Sequence, residues 1–182
     1  RTLVYFAVDE FEAFAATRLN KKNTVFLPFN RGSSDEGAGN PVVEGKHCTY
    51  YLWEEILQKN MFLKIIREFM FIDEEGNMIF PRYHQLDAVL KLEADVKQNG
   101  IGGRYLIWHS AGSGKTKTIA WLSKRLINIQ DIHTVIVISD RTVIDSQLGS
   151  EIQTLDGKKG VAKWIDTTSA ELLKMLRSGG YI

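Results

Sequence analysis

A chain of 182 residues, 44% hydrophobic and 25% charged, has room and material for one ordinary soluble domain or two small ones. Its single cysteine, Cys48, excludes an internal disulfide and a thiolate zinc site, and with no membrane-length apolar run and no signal-peptide pattern a reducing, cytoplasmic setting is the default. The net charge of +1 is uneven, with 9 Lys and Arg against 12 Asp and Glu in residues 1–78 and 14 against 10 in residues 79–182, a mild bias that permits nucleic-acid contact by the second half without requiring it.

The first thirty residues read as β structure. Thr2 to Val8 is apolar and β-branched, Glu12 to Leu19 continues less regularly, and Thr24 to Leu27 is a third short run before Pro28. Turn-like Asp9-Glu10 and Asn20 to Asn23 separate them, which predicts an antiparallel meander. Asn30 to Pro41, rich in Gly, Ser and Asn, predicts a surface loop. From Thr49 to Phe71 apolar residues recur at spacings of three and four, predicting a helix broken near Lys59-Asn60 with Trp53 and Phe62 as core anchors. Asp73 to Asn77 is a turn, and a second region starts near Met78.

That second region alternates strand and helix. The pattern predicts a helix over Gln85 to Gln98, a strand through Tyr105 to Trp108 and a helix to Ile127. A buried strand over Thr134 to Ser139, helices over Asp145 to Ile152 and Thr168 to Leu176, and the start of a strand at Gly179 to Ile182 follow. The order implies an α/β fold with a parallel sheet and a ligand at the strand carboxyl ends.

Between the expected strand and helix lies His109-Ser110-Ala111-Gly112-Ser113-Gly114-Lys115-Thr116. Glycines there let backbone N–H groups surround phosphates, and the helix N-terminus adds its positive dipole end. Gly112, Ser113, Gly114, Lys115 and Thr116 are therefore candidates to bind ATP, with Lys115 on the outer phosphates and the Thr116 hydroxyl on Mg²⁺. His109 stands where the first glycine of the strict pattern belongs, a change that helicase-type loops tolerate.

Upstream, Phe80-Pro81-Arg82-Tyr83-His84-Gln85 offers an aromatic to stack on a purine and an amide to bond two of its edge atoms. About thirty residues before such a loop, Arg82 and Gln85 resemble the adenine-reading pair of superfamily 2 helicases. His84 has no partner at metal-ligand spacing, so a surface or capping role suits it. Downstream, Ser139 to Gln147 leaves the buried strand and enters a helix. Arg141 and Gln147 could hold DNA phosphates there, although a capping Asp140 and a solvated Arg141 fit those residues equally.

Taken in order, these pieces resemble the restriction, or motor, subunit of type I restriction–modification enzymes. The residues that carry the resemblance are Phe6-Ala7-Val8-Asp9, Thr24 to Gly32, Gly37 to Pro41, Tyr51-Leu52-Trp53-Glu54, Phe80 to Gln85, His109 to Thr116 and Asp140-Arg141. The Phe26 to Asn30 and Gly37 to Pro41 segments separate it from generic superfamily 2 helicases. The resemblance implies the end of a nuclease domain and its connector over residues 1–78, an antiparallel meander plus helix. A partial RecA-like phosphate-loop lobe with a parallel sheet is implied over 79–182. It further implies ATP and Mg²⁺ as cofactors, double-stranded DNA and the modification and specificity subunits as partners, no membrane, and a prokaryotic cytoplasmic setting. The family's Asp…Glu-x-Lys nuclease set and its Asp-Glu box have no counterpart in these residues, so the resemblance assigns no catalytic residue here. Two other readings stay open: a superfamily 2 DNA helicase or remodeller without a nuclease, and a non-catalytic connector.

Overall fold

A computed structural model describes residues 2–33, 37–139, 142–156, 169–178 and 180–181 as a mixed α/β protein with small antiparallel sheets. The chain divides into two units, Arg1–Asp87 and Ala88–Ile182, with the division inside one helix.

In unit one, Asp9 makes the first reversal. Its Oδ1 accepts the N–H groups of Glu12 (2.7 Å) and Phe11 (2.8 Å), a side-chain mimic of a backbone turn that holds the carboxyl below its usual pKa. Strands β1 (Tyr5–Val8) and β2 (Ala13–Ala16) pair antiparallel on either side, Tyr5 opposite Ala16 and Val8 opposite Ala13. β3 (Leu27–Pro28) completes the expected meander against β2. Pro28 lacks an N–H, and β3 lies at the sheet edge, where that loss is tolerated.

The expected surface loop after Asn30 is tied down at both ends. Asn30 is buried; its Oδ1 accepts Ala13 N–H (2.8 Å) and Asn40 Nδ2 (3.0 Å), and its Nδ2 donates to Glu12. Asn40 answers by accepting Arg31 N–H and donating to Phe11 O, both at 2.8 Å. Asn30→Leu strands a buried N–H, and we expect a loss of about 1–3 kcal/mol, read as a lower guanidinium midpoint with an unchanged slope.

The helix expected over Thr49–Phe71 with a break near Lys59-Asn60 is indeed two pieces, a π-helical turn (Leu52–Ile56) and α1 (Lys59–Glu68), parted slightly earlier, at Leu57-Gln58. Tyr51, Leu52, Ile56, Ile65 and Phe69 are buried, but Trp53 is 43% exposed and is no core anchor. In the π turn Leu57 N–H bonds to Leu52 O, five residues back, so the 3.6-residue repeat that would bring Trp53 inward does not apply. Phe62 is half-buried. Around the Asp73–Asn77 turn, β4 (Phe71–Ile72) and β5 (Met78–Ile79) form a hairpin that short sequence runs did not announce.

Helix α2 (Tyr83–Asn99) crosses from one unit into the other. Unit two is built on α3 (Lys115–Ile127) and α4 (Thr142–Asp156), which pack together. α3 buries Thr118, Ala120, Trp121 and Ser123, and α4 buries Leu148, Ile152 and Leu155 at helical spacing. Lys117 pairs with Glu151, and Lys124 donates to Leu155 O near the α4 C-terminus, where a cation suits the helix dipole. α5 (Ser169–Ser178) follows.

The expected parallel sheet is largely absent among the described residues. Its one parallel ladder joins β6 (Thr134–Val135) to β7 (Gly180–Tyr181), two residues each. Residues 136–139 and the predicted strand at Tyr105–Trp108 have no regular conformation, with Leu106 and Ile138 about nine-tenths exposed. A strand exists only by hydrogen bonding to a neighbour, and no described segment pairs with either run.

Candidate nucleotide-binding site

The loop before α3 is shaped by two glycines. Gly112 (φ 72°) and Gly114 (φ 79°) adopt the left-handed conformation, which a side chain would strain, and Gly114 is the residue from which α3 starts. The first bond of the helix runs from Thr118 N–H to Gly114 O (3.2 Å), so the N–H groups of Lys115, Thr116 and Lys117 face off its end. The first turn of α3 holds no acidic residue. Left-handed backbone ahead of a helix N-terminus is an anion-binding concavity, and these residues fit a phosphate chain.

Lys115 is exposed, and its Nζ reaches back across the loop to Ser110 O (2.7 Å) and His109 O (3.1 Å). Among the described residues the ammonium's hydrogen-bond partners are these two neutral carbonyls. Ser113 is buried, and Thr116 is half-buried in the first helical turn. Five predicted residues, Gly112 to Thr116, therefore form one contiguous feature of unit two.

Arg82 and Gln85 are brought together in unit one. Gln85 is 4% exposed, and its Oε1 accepts the Arg82 N–H at 2.9 Å. This is one half of a capping box at the start of α2, a structural task that the spacing Arg-x-x-Gln carries in the sequence and that went unread there. The predicted DNA contacts are less visible. Arg141 lies outside the described residues, and Gln147 is on α4, with only its backbone described. Among the described residues no cluster of His, Cys, Asp or Glu is placed to hold a metal ion by itself, and no helix is long and apolar enough to cross a membrane.

One cluster was missed entirely. The Arg31 guanidinium lies 5.5–5.8 Å from the ring centroids of Tyr51, Tyr83 and Tyr50, donates to the Tyr50 hydroxyl (3.0 Å) and pairs with Glu55 (3.1 Å). Burial opposes its charge, but the oxygens of Tyr83, Glu55 and Tyr50 outweigh that and raise its pKa. Burial also pushes Tyr51 and Tyr83 up to about 12, so both remain neutral phenols. Tyr51 donates to Phe29 O at 2.7 Å. The partners sit 19 to 52 residues from Arg31, so no linear spacing could have signalled the cluster.

The SWI2/SNF2 ATPase family matches residues 84–182. An endonuclease subunit of a type I restriction enzyme from Staphylococcus saprophyticus is 31% identical over 128 residues, 68% of this chain and 13% of the relative. Endonuclease subunits of type I restriction enzymes from the COL and MSSA476 strains of Staphylococcus aureus are each 32% identical over 116 residues, 63% of this chain and 12% of theirs. The chain thus spans about an eighth of the length of these curated relatives. No solved structure matches it. With a left-handed glycine loop opening a helix inside the matched region, the chain belongs to the SWI2/SNF2 ATPase family and is a homologue, over part of their length, of type I restriction enzyme endonuclease subunits.

Proposed function

We propose that this chain is part of the ATP-dependent, DNA-translocating endonuclease subunit of a type I restriction enzyme, which cuts unmodified foreign DNA away from its recognition site. In this reading residues 1–78 are the end of the nuclease domain and its connector, and residues 79–182 are the beginning of the first RecA-like motor lobe. The observation that carries it is the loop at Gly112 to Thr116, whose two left-handed glycines and out-facing helix N–H groups suit a triphosphate. Residues 84–182 are just over half of the chain, whereas the Staphylococcus saprophyticus relative aligns with 68% of it. The likeness therefore extends before residue 84, which favours an endonuclease subunit over a generic superfamily 2 helicase.

Loop N–H groups and Lys115 would hold the phosphates, the Thr116 hydroxyl would hold Mg²⁺, and Arg82 with Gln85 would face the adenine. Bound ATP would supply the phosphoryl group and the free energy of its transfer, and Mg²⁺ would neutralise charge on the phosphates. This chain's residues bind and orient, the part of such catalysis that depends on positioning. Arg141 and Gln147 are assigned to duplex DNA, and the modification and specificity subunits are the assigned partners. Such a subunit works in the prokaryotic cytoplasm.

The test is hydrolysis by the intact subunit assembled with its modification and specificity partners. We expect ATP turnover that rises on adding duplex DNA bearing the unmodified site. Turnover indifferent to that DNA overturns the reading.

A further inference from the structure

We propose that Arg31 is a positioning residue for base recognition: the Phe29–Arg31 segment anchors Tyr83 and thereby fixes the Arg82–Gln85 end of α2 in its base-reading geometry. This rests on the nucleotide reading above and goes beyond it, because Arg31 itself touches no nucleotide in that scheme.

The first turn of α2 is held at three points, all within unit one. Phe80 meets Phe6 edge-on at 5.7 Å and Phe29 at 5.6 Å. Pro81 is fully buried. Tyr83 meets Phe29 at 5.7 Å and Tyr51 at 5.2 Å, both edge to face, and carries the Arg31 guanidinium 5.7 Å from its ring. Arg31 braces the last of these points: one guanidinium nitrogen, Nη1, donates to both the Tyr50 hydroxyl and Glu55 while the group's carbon lies 5.5–5.8 Å from the rings of Tyr50, Tyr51 and Tyr83.

What this rigidity secures is the orientation of one amide. Adenine offers an acceptor at N7 and a donor at N6, so a carboxamide reads it only when its oxygen and nitrogen face the right way. The Arg82 N–H fixes the Gln85 oxygen, and that N–H is fixed in turn only while the Phe80–Tyr83 segment stays put. An aromatic pocket loosened at Arg31 lets the segment shift, and the amide loses its preference for adenine before the phosphate loop is affected.

The experiment titrates the intact subunit with ATP, GTP and inorganic tripolyphosphate, each with Mg²⁺, in wild type, Arg31→Ala and Tyr50→Phe. We expect Arg31→Ala to reduce the preference for ATP over GTP by about tenfold, one hydrogen bond's worth, with tripolyphosphate affinity unchanged. Tyr50→Phe, which removes only the hydroxyl on Arg31, gives a smaller loss in the same direction and serves if Arg31→Ala does not fold. A wild-type ATP/GTP ratio in the folded variants, or an equal fall for ATP and tripolyphosphate, overturns the proposal. Wild type that binds tripolyphosphate without preferring ATP also overturns it but leaves the phosphate loop standing. Wild type that binds neither removes both readings.

Discussion

We expect Lys115→Ala to lower the affinity of the intact subunit for Mg²⁺–ATP by about 10- to 100-fold and to remove the DNA-stimulated hydrolysis proposed above, with little change in unfolding temperature. The ammonium now rests on two uncharged oxygens, Ser110 O and His109 O. Phosphate oxygens offer the same donors full negative charge, and hydrogen bonds to charged groups contribute about 1.5–3 kcal/mol against 0.5–1.5 for neutral ones. The binding loss is therefore the charge-assisted bond. The stability change is small because Lys115 and Ser110 are exposed, so water replaces the lost contact. Lys115→Arg keeps the charge, but a planar fork is a poor substitute for a compact ammonium in a tight loop, and hydrolysis stays low. Calorimetric titration alongside thermal unfolding separates the two effects. Wild-type ATP affinity in a folded Lys115→Ala protein would remove the phosphate loop from the mechanism.

The loop was legible because its determinants are consecutive. Glycine, glycine, lysine and threonine act through local backbone conformation, and Gly112 and Gly114 take the left-handed geometry that their residue type permits. The meander was legible for a similar reason, since Asp9 makes its turn with its own side chain. What was lost depends on partners. Tyr105–Trp108 and Ile136–Ser139 have strand composition, but composition supplies one side of a ladder only, and β6 extends just as far as Gly180–Tyr181 pairs with it. Trp53 was misplaced because helical periodicity was assumed through a turn that bonds at five residues. Arg31 has no local signature at all: Tyr50, Tyr51 and Tyr83 are brought to it by the folding of the whole unit. Gln85 is the intermediate case, since the spacing that suggested a base-reading pair is also the spacing of the helix cap seen here.

The largest stability effect is expected in unit two, where Glu93 is 5% exposed beneath the helix that the phosphate loop opens. Arg125, on α3, donates through Nε to Glu93 Oε2 at 2.6 Å, and Lys97 donates to Oε1 at 2.6 Å. The side chains of Glu93 and Arg125 are 7% and 9% exposed, so both charges have left water and each offsets the other's dehydration. Glu93→Leu takes from the buried Arg125 the carboxylate it pairs with, and we expect a loss of about 3–5 kcal/mol. Lys97, more than half exposed, simply returns to solvent. Glu93→Leu combined with Arg125→Met removes both desolvated charges, and most of that loss returns, because the attraction within a buried pair does little more than offset its dehydration. Guanidinium unfolding of the single and double variants measures the difference. A double variant as unstable as Glu93→Leu would mean that the loss does not come from the buried Arg125 charge. Because the pair joins α2 to the last turn of α3, recovery of the double variant also separates two roles for these residues. If stability and ATP affinity return together, the pair only secures α3. If stability returns without affinity, the charges themselves set how α3 presents its opposite end to the phosphates.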